Sequence, residues 1–365
     1  MLFKGTKTRS AKQIAEEVES CGGYLNAFTS KEHTCYYGRG LEEHIETTFN
    51  VLSDMIQNPV FKSTELKREA KVIIDELNDI EDNPEELIFD KFEEHLYSGN
   101  SLAQPVIGTV DNISSFSSGD LFKYLKNDYT SNRLLIAASG SITHEEIVKL
   151  TNKYVNNHLG QSVIKREENS ISEKNGINII EKEIQQVHAI IGRSTFGYKD
   201  KNRLRLLLLS QILGEGSSSR LFQTLRERNG IAYQVNTFLN SFYDVSSFGV
   251  YFSTNYKMID KALNLVSREF KKLREKKITS KELTRAKESF KGSLLLSLES
   301  TSNRMIRMAQ SELYFNRVIS IDKVIKKIDA FTREDIIDLA NEVLQEESFI
   351  KLIIKSKDTA LKTAA

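Results

Sequence analysis

Apolar residues along this chain recur mostly at helical spacing, interrupted by short alternating or fully apolar runs of strand length. Ser10–Cys21 places Ile14, Val18 and Cys21 on one side, and Gly22-Gly23 ends it. Tyr24–Tyr37 has the aromatic and β-branched content of two strands, with a turn near Ser30-Lys31. Leu41–Gln57 is helical, with Ile45, Phe49, Leu52 and Ile56 on one face. The longest periodic stretch runs from Phe61 to Pro84. Ser63 is its expected N-cap, and apolar residues follow at Leu66, Ala70, Ile73, Ile74, Leu77 and Ile80. Glu69 and Glu76 sit within that stripe, seven residues apart and so on one face. A carboxylate on the core side of a helix is unfavourable unless it is paired or holds a metal; a solvated edge position is the plainer reading.

Glu86–Leu96, Phe116–Asn127 (capped by Ser117 or Ser118) and Thr143–Leu159 read as helices, and Arg133–Ser139 as a buried strand. Residues 160–175 are polar and aperiodic, as expected of a linker. Beyond them, Ile177–Glu181, Val187–Gly192, two or three runs within Ala232–Thr254, and Phe349–Ile354 read as strands. Helices are expected at Asn202–Leu213, Ser219–Arg228, Ile259–Arg274, Ser280–Glu299, Ser302–Tyr314 and Thr332–Leu344.

The two halves repeat one another. Glu65, Leu66 and Arg68 match Glu282, Leu283 and Arg285 at a shift of 217. Phe116 and Asp120 match Phe331 and Asp335 at a shift of 215, and Leu134–Ile136 falls on Phe349–Lys351 in the same register. The fold class is therefore α+β, with two homologous domains of mainly antiparallel sheet and packed helices. The expected division is 1–159, a linker at 160–175, and 176–365. Glu76 falls on Ser293, so the second copy lacks that carboxylate. A purely structural role would more often be kept in both copies. The second copy also carries strands and a helix ahead of the point that matches Met1–Gly5, so the first copy is expected to lack its beginning.

Composition narrows the function classes. The chain has 365 residues, 39% hydrophobic and 28% charged, with a net charge of +1. Nothing in that balance attracts nucleic acid or an anionic membrane. The apolar run 204–213 is too short to span a bilayer. Cys21 and Cys35 cannot form a disulfide framework; each reads as a small buried hydrophobe in a reducing, cytoplasmic setting.

MLFKGTKTRS, GGYLNAFTSKEHTCYY and REAKVIIDE, together with GEGSSSRLFQTLRERNGIAY in the second half, resemble the insulinase and processing-peptidase family of zinc metallopeptidases. The resemblance covers essentially the whole chain. It implies two domains closing like a clamshell on extended peptides, and one zinc ion held by an inverted H-x-x-E-H motif plus a more distant Glu. The H-x-x-E-H segment would precede Met1. The six histidines, His33, His44, His95, His144, His158 and His188, include no such pair. By position, the resemblance makes Glu76 the third zinc ligand and Glu69 the carboxylate behind it. The chain alone is then not expected to hold zinc tightly.

Leu25, Asn26, Ala27, Phe28 and Thr29 match the edge strand whose backbone pairs with substrate, Asn26 and Ala27 flanking the scissile bond. Arg226 and Tyr233 match the substrate-contacting pair of the C-terminal domain, with Tyr233 placed to polarise the scissile carbonyl. Gly214, Gly216 and Ser217–Ser219 match that domain's glycine-rich loop; no GKS or GKT follows, so it is not a phosphate loop. The resemblance implies a zinc metalloendopeptidase, here a fragment without its zinc helix. The alternative is a non-catalytic subunit that binds peptide for an active relative. The sequence leaves open whether the chain acts alone, as a homodimer or as a heterodimer with a second family member.

Overall fold

The structure is a computed structural model and describes residues 1–155, 160–162, 168–170, 172, 174–276 and 278–357. His158 and the expected helix end at Leu159 lie outside these residues, as does part of the expected linker. In chain order the elements are α1 (Ala11–Glu19), β1 (Tyr24–Thr29), β2 (Thr34–Arg39), α2 (Ile45–Gln57), α3 (Ser63–Asp82), α4 (Pro84–Leu96), α5 (Val110–Ser115), α6 (Ser118–Asp128) and α7 (His144–Tyr154). They continue with β3 (Gly176–Glu181), β4 (Val187–Phe196), α8 (Arg203–Gly214), β5 (Ala232–Ser241), β6 (Val245–Thr254), α9 (Ile259–Glu275), α10 (Ser280–Ser297), α11 (Thr301–Phe315), α12 (Ile321–Ala330), α13 (Arg333–Val343) and β7 (Ile350–Lys355). Among the described residues no helix is long and apolar enough to cross a membrane.

The chain divides into two compact units. The first holds Met1–Asp79, Pro105–Arg166 and Leu298–Leu313; the second holds Ile80–Gln104, Glu167–Ser297 and Tyr314–Ala365. The duplicated halves and the compact units are thus different divisions: α4 belongs with the second unit, and most of α11 with the first.

The duplication is visible element by element. Ser117 caps α6 in a reciprocal box with Asp120, and Thr332 caps α13 in the same box with Asp335. The helices α3 and α10 begin at Ser63 and Ser280, the shift of 217 found in sequence. Ser63 does not act as the cap: Lys62 O accepts the first helical bond, from Leu66 N–H at 2.9 Å, while the Ser63 hydroxyl lies 3.3 Å from that of Ser118.

In the second unit the sheet order is β3-β7-β4-β6-β5, with β3 and β7 parallel and the other neighbours antiparallel. Both faces are covered, so β6 is buried along its whole length. Phe248, Val250 and Phe252 join the core beneath α8, α9 and α13; Val245 and Tyr251 face α4. Leu87, Ile88, Phe92 and Leu96 of α4 are all buried, each contributing roughly 1.5–3 kcal/mol. Gly192 makes room for them, since a Cβ there would meet the Phe92 ring at 2.6 Å.

The first unit is built on α1, α2 and the β1–β2 hairpin around Ile14, Val18, Val51 and Met55. Here one expectation fails. The run Arg133–Ser139 contains no strand: 134–139 has no ladder partner, and Leu134 and Leu135 are exposed. Its counterpart β7 is hydrogen-bonded on both sides, by β3 and β4. The described residues of the first unit hold no strand equivalent to either, and an apolar run cannot form a strand without a neighbour to bond. The helices α5 and α12 have no counterpart among the sequence-based expectations, and the helix expected at Ser219–Arg228 forms over 220–227, widening into a π-helix at Phe222–Glu227.

Candidate functional site

The three groups of expected site residues fall on different elements. In the first unit, β1 carries Leu25–Thr29, paired in register with β2 from Leu25↔Gly38 to Thr29↔Thr34. Among the described residues β2 is its single strand neighbour, so the other edge of β1 is open. The Ala27 N–H is not spent on the ladder. It donates to the Oδ1 of Asn26 at 2.8 Å, and the Asn26 amide in turn donates to the Tyr24 hydroxyl at 2.6 Å. An edge donor is thus covered by a short polar side chain that an incoming strand can displace.

The helix α3 carries Glu69 and Glu76. Its apolar stripe is half-buried at every position from Leu66 to Ile80, and no residue of the helix is fully buried. Glu69 is half-buried and bridges to Lys4 at 2.7 Å. Glu76 is exposed and makes no bond among the described residues. Exposure matches the solvated-edge reading of the sequence and leaves the Glu76 oxygens free.

Among the described residues no group of three His, Cys, Asp or Glu side chains lies together to hold a metal ion. The described histidines have local partners or face water. His33 Nδ1 lies 3.0 Å from the Ser30 hydroxyl, His95 Nδ1 2.7 Å from Lys91 O, and His188 Nδ1 2.9 Å from the Tyr251 hydroxyl. Burial pulls the pKa of His33 and His188 down. The described residues therefore do not fit a zinc site by themselves. The cysteines are half-buried and free, a wetter setting than expected, and burial pushes the Cys35 thiol up.

In the second unit, the π-helix Phe222–Glu227 leads to Gly230, whose φ of +60° suits glycine. The chain then enters β5 through a bulge between Ala232 and Gln234. Tyr233 is the extra residue, and the bulge turns it outward, 58% exposed. Arg226 is also exposed, its guanidinium over the Phe222 ring at 5.1 Å, and it makes no bond to Tyr233.

The glycine-rich loop is braced by protein groups. A Cβ at Gly214 would lie 2.6 Å from Thr237 N, and Gly216 has a φ of +77°. Arg220 pairs with both oxygens of Glu282, at 2.7 and 3.0 Å, and Arg285 donates to Ser218 O at 3.0 Å. These backbone and arginine groups are already used.

The sequence reading missed Asp54. It is buried on α2 and accepts bonds from Thr6 (2.6 Å), Arg9 (2.8 Å), Thr8 (2.9 Å) and Asn58 (3.0 Å). This fixes the loop GTKTRS, one of the segments that carried the family resemblance. The available signal was an acidic residue on the apolar face between Val51 and Met55.

This duplicated α+β architecture is that of a peptidase family. Residues 1–110 match the family model described as Insulinase (Peptidase family M16), and residues 115–290 the one described as Peptidase M16 inactive domain. The chain is 34% identical to an uncharacterized zinc protease, YmxG, of Bacillus subtilis, covering 98% of this chain and 87% of the relative. A Rickettsia felis protein described in the same words is 33% identical over 94% of this chain and 83% of its own. The fold matches a solved peptidase M16 inactive domain from Pseudomonas fluorescens, with a TM-score of 0.91 at 20% identity, covering 99% and 88% of the two chains. A solved protease from Helicobacter pylori gives 0.89 at 21% identity, covering 97% and 87%. The chain belongs to the insulinase family of peptidases, peptidase family M16.

Proposed function

We propose that this chain serves zinc-dependent endoproteolysis by capturing extended peptides along β1. The observation that carries the reading is the open edge of β1, where the Ala27 N–H is held only by the neighbouring Asn26 side chain. A substrate strand would displace Asn26 and take up the Ala27 donor, gaining backbone hydrogen bonds that do not depend on its sequence. Arg226 and Tyr233, exposed on the second unit and not bonded to one another, are groups proposed to contact peptide there. Glu76, exposed and unbonded, is the carboxylate proposed as a zinc ligand.

Ala27→Pro tests the capture step. Proline removes the N–H that faces the open edge and leaves the ladder to β2 intact. Labelled extended peptides should lose most of their affinity for this variant while the fold is kept. Unchanged affinity would overturn strand addition along β1.

A second reading is a non-catalytic peptide-binding subunit, alone as a homodimer or beside an active family member. What favours it is that strand capture at the open edge of β1 needs no metal. Peptide binding without chelator-sensitive hydrolysis supports this reading; hydrolysis abolished by a zinc chelator supports the first.

A further inference from the structure

The sheet of the second unit ends in two edges, and the two are built differently. Natural edge strands are protected by bulges, charges or covering segments, because a bare edge recruits another strand. At one end β5 enters through the bulge between Ala232 and Gln234, and its exposed positions are Tyr233, Gln234 and Asn240. At the other end β3 pairs with β7 in unbroken register from Gly176↔Ile350 to Glu181↔Lys355. Among the described residues no strand lies on the outer side of β3.

The backbone bonds show which residues carry that bare side. Gly176 N–H donates to Phe349 O at 3.3 Å, and Lys182 N–H to Lys355 O at 3.0 Å. Alternate residues of a parallel ladder face alternate sides, so Asn178 and Ile180 also turn to β7. Ile177, Ile179 and Glu181 turn their N–H and C=O groups outward. The same two isoleucines expose their side chains, at 51% and 43%, although isoleucine is among the residue types most often buried. Ile180, on the opposite face, packs against the α4 core. A bare row of donors and acceptors and an uncovered apolar pair thus coincide on one short strand.

We propose that β3 is the surface through which two copies of this chain join, edge to edge and antiparallel. The strand is complementary to itself. A twofold axis normal to the sheet at Asn178 sets Ile177 of one copy opposite Ile179 of the other, and the reverse. Both residues turn their backbone groups outward, so each pair exchanges both of its hydrogen bonds. The exposed isoleucine side chains then cover one another on one face of a continuous sheet. At the ends Lys174 meets Lys182, but each is drawn aside, to Ser98 O at 3.1 Å and to Asp82 at 3.9 Å. A twofold contact closes on itself, so growth stops at the dimer. The proposal is independent of peptide capture at β1.

Sedimentation equilibrium of the full chain across the micromolar range should show a reversible monomer–dimer step. Ile177→Lys/Ile179→Lys should weaken dimerisation about tenfold or more, since it removes the apolar pair and sets like charges opposite one another. Leu295→Lys/Leu296→Lys alters comparably exposed apolar residues on α10 and should dimerise like the parent, with thermal melting confirming that both variants are folded. Asn178→Cys, oxidised with glutathione disulfide, should give a disulfide between chains, because the axis brings position 178 against itself; Glu181→Cys should not. A parent that stays monomeric, polymers in place of dimers, equal dimerisation by the two double variants, or equal crosslinking by the two cysteine variants would overturn the proposal.

Discussion

The Thr6 hydroxyl donates to the carboxylate of Asp54 at 2.6 Å, forty-eight residues away in sequence, and with Thr8 and Arg9 it fastens the loop after Gly5 to the buried face of α2. Both Asp54 oxygens are used, since Asn58 donates to the second. Asp54→Ala leaves Arg9 with Glu17 alone and unpairs the buried Thr6 and half-buried Asn58 donors together with Thr8. Loss of roughly 3 kcal/mol of folding stability is expected. Urea unfolding checks this, and a change below 1 kcal/mol would show the network to be dispensable.

The same carboxylate predicts an acid limb. Burial alone would push the Asp54 pKa up, but the bonds from Thr6, Arg9, Thr8 and Asn58 outweigh it and hold the group below its ordinary range. Glu282 behaves alike: burial raises it, and the paired Arg220 more than compensates. Such groups add stability above their unfolded pKa values, about 4, and that stability is lost as pH falls through the lower folded values. Unfolding free energy should therefore drop below about pH 4, and Asp54→Asn should flatten part of that slope. An unchanged slope in the variant would remove Asp54 from the account.

Glu76 and Glu69 should separate in mutation. Glu76 is exposed and unbonded, so Glu76→Gln is expected to change stability by less than about 0.5 kcal/mol. Any zinc-dependent peptide hydrolysis by the chain should vanish in the same variant. Glu69→Gln removes the bridge to Lys4, a loss of up to about 1 kcal/mol for a pair this exposed. Parallel melting curves and chelator-controlled peptide assays read both effects. Full hydrolysis by Glu76→Gln would end its assignment as a zinc ligand.

Two glycines give opposite expectations. At Gly214 a Cβ would stand 2.6 Å from Thr237 N, where α8 meets β5, so Gly214→Ala should destabilise by about 1–3 kcal/mol. At Gly292, inside α10, a Cβ meets nothing within 4 Å, and Gly292→Ala should stabilise by about 0.5–1 kcal/mol. Denaturant midpoints distinguish the two.

Much of the fold was legible in the sequence because its signals are local. Period, caps and breakers placed α1, α2, α3, α6, α9 and α13, and the paired boxes Ser117–Asp120 and Thr332–Asp335 repeat at the register that revealed the duplication. Sequence alone also set β1, its hairpin partner and the segments that mark the family. Tertiary structure decided what depends on distant partners. Residues 134–139 have the composition of a strand, yet a strand exists only where another backbone bonds it. The stripe of α3 is amphipathic, yet how far it is covered, and hence the exposure of Glu76, was set by its surroundings. The side of the division to which α4 belongs depended on the apolar face that buries Phe92, a surface contributed by β4 and β7. Periodicity records which face of an element is apolar; which surface answers it is a long-range fact that only packing supplies.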